Sequence, residues 1–232
     1  LGQLDTHSIQ PALATIKKDF GHSPLLQARL WQTMADTQFK LGQLKAAVEP
    51  QQLALEQRRR LLGADDPLTL ISLRNRGELR GQMGQFDEAL TDLRAATTGL
   101  RRVLGRDHSE TIVSITIMAT VLMRQGKTEM ALALLRESYT RQRRVLGNDH
   151  LDTLKTAGAL SFTLSKSGKS KEALPYAEAM FNGYRRALGI SHIQTLSAAN
   201  TLVFAYLGEG RLADAEALAR EALEAGRQSN GD

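Results

Sequence analysis

Three histidines stand in a column, His108, His150 and His192, each 42 residues from the next, with His22 nearly in register. Imidazoles in such a column are candidate metal ligands, but a metal would need them all within about 2 Å of one ion. Equivalent atoms in neighbouring copies of a helical unit are separated by a packing distance of about 9 Å or more. The column therefore cannot close on one ion, and each histidine is expected as a loop residue at the N-terminus of a helix. Adjacent acids occur at Asp65-Asp66 and Asp87-Glu88. The first pair falls at a helix start, where negative charge complements the helix dipole. There is no His-Glu-x-x-His, no Gly-x-Ser-x-Gly elbow, no phosphate-binding P-loop and no cysteine. No set of residues can serve together as base, nucleophile and oxyanion site. No catalytic residue, metal site or cofactor site is assigned, and an enzyme is not expected.

A second column carries charge. Arg59-Arg60, Arg101-Arg102, Arg143-Arg144 and Arg185-Arg186 recur at the same interval. Two readings fit them. They could form a cationic ladder for an acidic partner, an anionic membrane or nucleic acid. Alternatively they complement helix C-termini and pair with Asp65, Asp107 or Asp149 in the loop that follows. The structural reading is favoured, because 30 basic residues face 25 acidic ones and the net charge is only +5. Aromatic residues make up 5% and do not alternate with the arginines, which argues against a stacking platform for nucleic acid.

Both columns belong to a repeat of the whole chain. Leu-Gly recurs at Leu62-Gly63, Leu104-Gly105, Leu146-Gly147 and Leu188-Gly189, preceded by Phe20-Gly21. A second glycine column runs through Gly42, Gly84, Gly126, Gly168 and Gly210, with alanine five residues on at Ala47, Ala89, Ala131, Ala173 and Ala215. Thr69, Thr111, Thr153 and Thr195 form another. Between the glycines the apolar positions step by three and four, as in Ala89, Leu90, Leu93, Ala96 and Leu100, which is a helical period and not a strand's. Gly84 and its equivalents stand where a first helix must end, and Asp66-Pro67 reads as an N-cap followed by proline in the first turn. The alanines, and the small residues Ala35, Gly77, Ala119, Ser161 and Val203 seven before each second-column glycine, suit close helix crossings. Each period is thus helix, tight turn, helix, loop, and units of this kind stack on their neighbours.

Composition agrees: 42% apolar and 24% charged residues are globular proportions. The longest uncharged stretch, residues 187–208, contains His192, Gln194, Asn200 and a Leu-Gly loop signal, so no transmembrane span is expected. There is no initiator Met, and no signal peptide is recognisable. Leu1-Gly2-Gln3-Leu4 echoes Leu41-Gly42-Gln43-Leu44, so residues 3–20 are expected to be the second helix of a degenerate preceding unit. The array would then be a fragment of a longer chain with another domain upstream. The chain turns polar from Glu221 onward, and the tail is expected to fray.

The skeleton Trp31, Ala35, Gly42, Ala47 and Ala54 resembles the tetratricopeptide repeat (TPR), whose usual period is about 34 residues. The longer period, with Arg101-Arg102-Val103-Leu104-Gly105-Arg106-Asp107-His108 and Arg143-Arg144-Val145-Leu146-Gly147-Asn148-Asp149-His150, resembles the kinesin-light-chain type of that repeat. HEAT repeats have a similar length but lack the mid-period glycine with alanine five on. The resemblance implies an all-α, right-handed solenoid. Its segments are a truncated helix at 1–20 and repeats at about 21–62, 63–104, 105–146, 147–188 and 189–228, with a short polar tail. It also implies an inner groove lined by the first helices. The groove positions by register are Arg29, Gln32, Asp36, Phe39, Arg74, Asn75, Glu78, Thr116, Thr120, Met123, Arg124, Lys155, Phe162, Lys166, Asn200 and Phe204. Among these, the phenylalanines are the first to expect in an ordinary core. Relatives that grip a chaperone's C-terminal carboxylate use a Lys/Asn clamp, of which Asn75 alone fits here. Of the groove asparagine repeated in kinesin-light-chain-like arrays, Asn75 stands, while Ile117, Ala159 and Thr201 replace the others.

The resemblance therefore implies a non-catalytic scaffold for a protein or peptide, as the interaction or sensor region of a larger bacterial signalling protein such as a Ser/Thr kinase or signalling ATPase. A cytoplasmic setting is expected, or a periplasmic one if a membrane span lies upstream. Polyanion binding through the arginines, and self-association into a homo-oligomer, are the alternatives.

Overall fold

A computed structural model describes residues 9–230, with side chains to residue 228. Among the described residues there are eleven helices and no strand. The first, α1 (Ile9–Asp19), is followed by five helix pairs: α2 (Pro24–Lys40) with α3 (Leu44–Leu62), α4 (Pro67–Gln82) with α5 (Phe86–Leu104), α6 (Ser109–Arg124) with α7 (Thr128–Val145), α8 (Leu151–Lys166) with α9 (Ser170–Leu188), and α10 (Ile193–Gly208) with α11 (Leu212–Asn230). Residues 3–8 of the anticipated first helix lie outside the described residues. At the other end, the expected frayed stretch from Glu221 is instead helix as far as Asn230. Its start is anchored by the buried Leu218 and Ala225, which hold the last turns against the preceding helix.

The turn inside each pair is set by the second glycine column. Gly84 has φ of +82°, a left-handed conformation that a Cβ would strain. The turn is closed by Gln85 N–H donating to Arg80 C=O at 2.9 Å, the six-to-one bond of a Schellman cap. The same bond recurs from Gln43 to Gln38, Lys127 to Leu122, Lys169 to Leu164 and Arg211 to Tyr206. The Leu-Gly column is left-handed at Gly63, Gly105, Gly147 and Gly189, but not at Gly21.

The loops between pairs are capped by the histidine column. Nδ1 of His108, His150 and His192 accepts the backbone N–H two residues on, at 3.2 Å in each case, as the Asp66 carboxylate does from Leu68 at 2.8 Å. The histidines are therefore helix N-caps. In two repeats the threonine column closes the same loop, with Thr111 donating to Gly105 C=O at 2.8 Å and Thr153 to Gly147 C=O at 2.9 Å.

Two compact units divide the chain, Leu1–Val121 and Leu122–Asp232, with the boundary inside α6. In each, the second helix of a pair packs on the first helix of the next: α3 on α4, α7 on α8, α9 on α10. The alanine column is buried throughout, at Ala47, Ala89, Ala131, Ala173 and Ala215. The small positions Ala35, Gly77, Ala119 and Ser161 are buried too, whereas Val203 is partly exposed against the core of the second unit. This is an all-α helical-repeat fold.

The first unit also encloses a polar core. Gln32 donates to Gln51 at 2.9 Å, Gln51 to Ser72 C=O at 3.0 Å, and Arg58 to Ser72 Oγ at 2.6 Å, which joins α2, α3 and α4. Burial lowers the pKa of the Arg58 guanidinium, against the opposing pull of Asp36 and Asp66.

Candidate functional site

Within the second unit, the first helices α8 and α10 lie side by side and leave a hollow of about 390 Å³ between Phe162, Ser165 and Lys166 of α8, Thr201 and Phe204 of α10, and Ser170 at the start of α9. Phe162 and Phe204, assigned to the groove by register, are 49% and 72% exposed, against the accompanying expectation that phenylalanines of that set belong to ordinary core. Their positions are helical neighbours of buried residues, Ser161 and Leu160 for Phe162 and Ala205 for Phe204. The apolar stripe of each helix is completed by small residues and leucine, so the phenyl rings project beyond it. The Lys166 ammonium lies 5.7 Å from the Phe162 ring centroid, a cation–π distance. Lys155 pairs with Asp152 at 3.3 Å one turn away on α8, and Asn200 is exposed on α10.

In the first unit, a smaller hollow of about 250 Å³ is lined by Ala35, Asp36, Phe39 and Lys40 of α2, Ala47 and Gln51 of α3, and Asn75, Glu78 and Leu79 of α4. Of the anticipated groove residues, Asp36, Phe39, Asn75 and Glu78 meet here. Two others do not reach a surface. Gln32 is 7% exposed inside the polar core. Arg74 is 9% exposed, ion-paired to Glu110 and bonded to Asn75 Oδ1 at 3.1 Å. Both were placed in the groove by register alone, and their hydrogen-bond partners on neighbouring helices draw them inward. Thr116 and Thr120 are half-buried, and each hydroxyl donates to the carbonyl four residues back on α6. Met123 is half-buried and Arg124 exposed at the end of α6. Burial raises the pKa of the Glu78 carboxyl; Arg74 opposes this and Asp36 adds to it.

Three arginines of the column, Arg102, Arg185 and Arg186, pair with carboxylates, two of them with acids of the expected set but not across the expected loop. Arg102 pairs with Asp65, and Arg186 with Asp149 at 2.5 Å. These acids lie in the loop before the hairpin, not the loop after it. The reason is antiparallel packing, which sets the end of each second helix beside the start of its own first helix. Arg185 pairs with Glu221 at 2.7 Å, Arg60 donates to Gln57 at 2.8 Å, and Arg143 to Asn148 at 2.8 Å. Arg59, Arg101 and Arg144 are exposed.

A third hollow was not anticipated. Of about 700 Å³, it lies between the second helices α7 and α9, lined by Arg136, Tyr139 and Arg143 on one side and Glu172, Tyr176 and Arg186 on the other. The sequence signals for it were Arg143 and Arg186 in the arginine column and Arg136, which recurs as Arg94 and Arg220, whereas Tyr139 and Tyr176 do not recur. Among the described residues, no group of His, Asp or Glu is placed to hold a metal, and no helix is long and apolar enough to cross a membrane.

Glycine-capped helical hairpins packed through a column of alanines define a helical-repeat protein. The chain belongs to the tetratricopeptide repeat family, whose description matches residues 26–102 and 110–185 and, in a second form, 195–232. No curated protein matches it in sequence. Solved structures share its fold. BtubC (BKLC) from P. vanneervenii is 17% identical with a TM-score of 0.78, over 98% of this chain and 91% of that one. The nearly identical TPR-like repeats of a protein described as a Podosopora anserina kinesin light chain are 20% identical with a TM-score of 0.72, over 90% and 99%. A Rap protein complexed with Competence and Sporulation Factor is 16% identical with a TM-score of 0.75, over 90% and 57%.

Proposed function

We propose that the chain is a non-catalytic scaffold that holds an extended peptide or a segment of a partner protein on the face of its first helices. The observation that carries this is the exposure of Phe162 and Phe204 on adjacent helices, facing one hollow. Phenyl rings this exposed complete their burial only against a partner, and buried aromatic anchors are the usual centres of binding energy. Lys166 and the hydroxyls of Ser165, Ser170 and Thr201 border the rings, where they would satisfy a ligand's backbone or an acidic group. The Rap protein of this fold is complexed with Competence and Sporulation Factor, which supports a ligand-holding role. Membership in a larger bacterial signalling protein such as a Ser/Thr kinase, in the cytoplasm, is part of the same proposal and rests on the resemblance alone.

The test is to select binders from a displayed random-peptide library and to measure their affinity for Phe162→Ala and Phe204→Ala. Each should lose tenfold or more, because a central anchor removed from an interface costs about 2 kcal/mol. Full affinity in both variants, with the helical content intact, would remove the reading.

A further inference from the structure

The hollow between α7 and α9 has a chemistry unlike that of the first-helix face. Arg136, Tyr139, Thr140 and Arg143 recur on α7 at steps of three and four, so they share one side of that helix. Seven residues separate the two arginines, a rise of about 10 Å. From α9, Glu172 stands opposite Arg136, and Arg186 stands opposite Arg143, each within ion-pair or loop reach: Arg136 pairs with Glu172 at 2.8 Å, and Arg186 with Asp149, the neighbour of the Asn148 that Arg143 contacts. Cations thus sit at both ends of a trough. Its middle is aromatic and apolar, with Tyr139 and Tyr176 edge to face at 5.3 Å and Pro175 and Ala179 beside them.

The arginines are held in place yet keep donors to offer. Arg143 uses Nε on Asn148 and lies 5.5 Å from the Tyr139 centroid. Arg136 uses one terminal nitrogen on Glu172. A guanidinium has five N–H donors, so both retain free ones directed by side chains already fixed. Tyrosine and arginine are also the residue types most enriched at the energetic centres of protein interfaces.

We propose that this trough is a second binding site, one that takes an acidic segment of a partner protein in extended form. Two carboxylates four residues apart, on one face of the extended chain, would meet Arg136 at one end and Arg143 with Arg186 at the other. Four residues of extended chain span about 13 Å, which the long arginine side chains reach from Cα positions about 10 Å apart. The middle residue, on the same face, lies on Tyr176 and Pro175. Asp149 and Glu172 select against nucleic acid: a duplex presents a charge about every 1.7 Å of its axis, and such a row would run over both acids, whereas isolated carboxylates do not.

The test uses the whole chain and two synthetic peptides bearing an uncharged dye, one with glutamates four positions apart and a leucine midway between them, the other with glutamines in place of the glutamates. Fluorescence anisotropy should show binding of the glutamate peptide and none of the glutamine peptide. Arg136→Gln and Arg143→Gln should each weaken binding about three- to tenfold, the range for a charge-assisted hydrogen bond at a partly exposed site. Phe162→Ala and Phe204→Ala should leave it unchanged, which separates this site from the first-helix face. Unaltered affinity in both arginine variants, equal binding of the glutamine peptide, or displacement by duplex DNA at lower charge concentration than by free glutamate peptide would each overturn the proposal.

Discussion

Leu154 of α8 occupies the space that a side chain on Gly183 of α9 would need. A Cβ built on Gly183 would lie 2.8 Å from Leu154 Cδ1 and 3.1 Å from Cγ, and closer still to Cδ2. The pair recurs two repeats earlier, where a Cβ on Gly99 of α5 would lie 2.9 Å from Leu70 Cδ1. A mid-helix glycine is ordinarily a weakness of about 1 kcal/mol relative to alanine; here its absence of a side chain is what admits a fully buried leucine.

Gly183→Ala should therefore destabilise the protein, although helix propensity alone predicts the reverse. Overpacking a closed core costs about 1–3 kcal/mol, more than propensity returns, and Leu154 has no solvent side into which to swing. Urea unfolding should show a lower midpoint, and adding Leu154→Val should recover part of it. A midpoint raised by the single substitution would contradict the packing.

The histidine caps give a second expectation. His150→Ala should lower stability by about 1 kcal/mol, since the Asp152 N–H loses its acceptor. His150→Asn should stay within about 0.5 kcal/mol of the parent, because asparagine caps equally well. Thermal unfolding of the two variants decides it; equal losses would mean that the ring matters for some reason other than its acceptor.

Glu78 makes stability depend on pH in a defined direction. Burial raises its carboxyl pKa in the folded protein, so the folded state binds the proton more tightly than the unfolded chain does. Its contribution is complete below the ordinary carboxylate range and is lost as pH rises through the folded pKa. Glu78→Gln should accordingly raise the melting temperature at neutral pH, with the gain vanishing in acid. The same gain at both pH values would show that ionisation is not the cause.

Asp92 is buried between two arginines, accepting from Arg76 at 2.7 and 2.8 Å and from Arg80 at 2.7 Å. Removing one partner of a buried pair leaves the others desolvated. Asp92→Ala should cost about 2–4 kcal/mol, while Arg80→Gln, with Arg76 still in place, should cost less. Chemical denaturation orders the two, and parity between them would show that the carboxylate is not the hub.

Much of this architecture was legible in the residues. Glycine at Gly84 marks a left-handed turn because no other residue adopts that conformation freely, and the alanine at Ala89 marks a close crossing because nothing larger fits; both are local requirements that a one-dimensional pattern records. The same holds for the histidine caps, whose partner lies two residues away. The hairpins, their order and their family follow from such short-range rules.

Side-chain destinations followed a different logic. Register put Arg74, Gln32 and the two phenylalanines alike in the groove, yet Arg74 is turned inward by Glu110, thirty-six residues on, while Phe162 and Phe204 stand in water. Arg186 finds Asp149 thirty-seven residues back, because antiparallel helices bring an end beside a beginning. The trough of Arg136, Tyr139 and Tyr176 exists only where α7 and α9 run alongside each other. Period and composition are properties of consecutive residues and are written in their order. Which charge meets which, and which ring stays exposed, is decided by separations in space that depend on every helix packed between, so the tertiary structure alone could supply them.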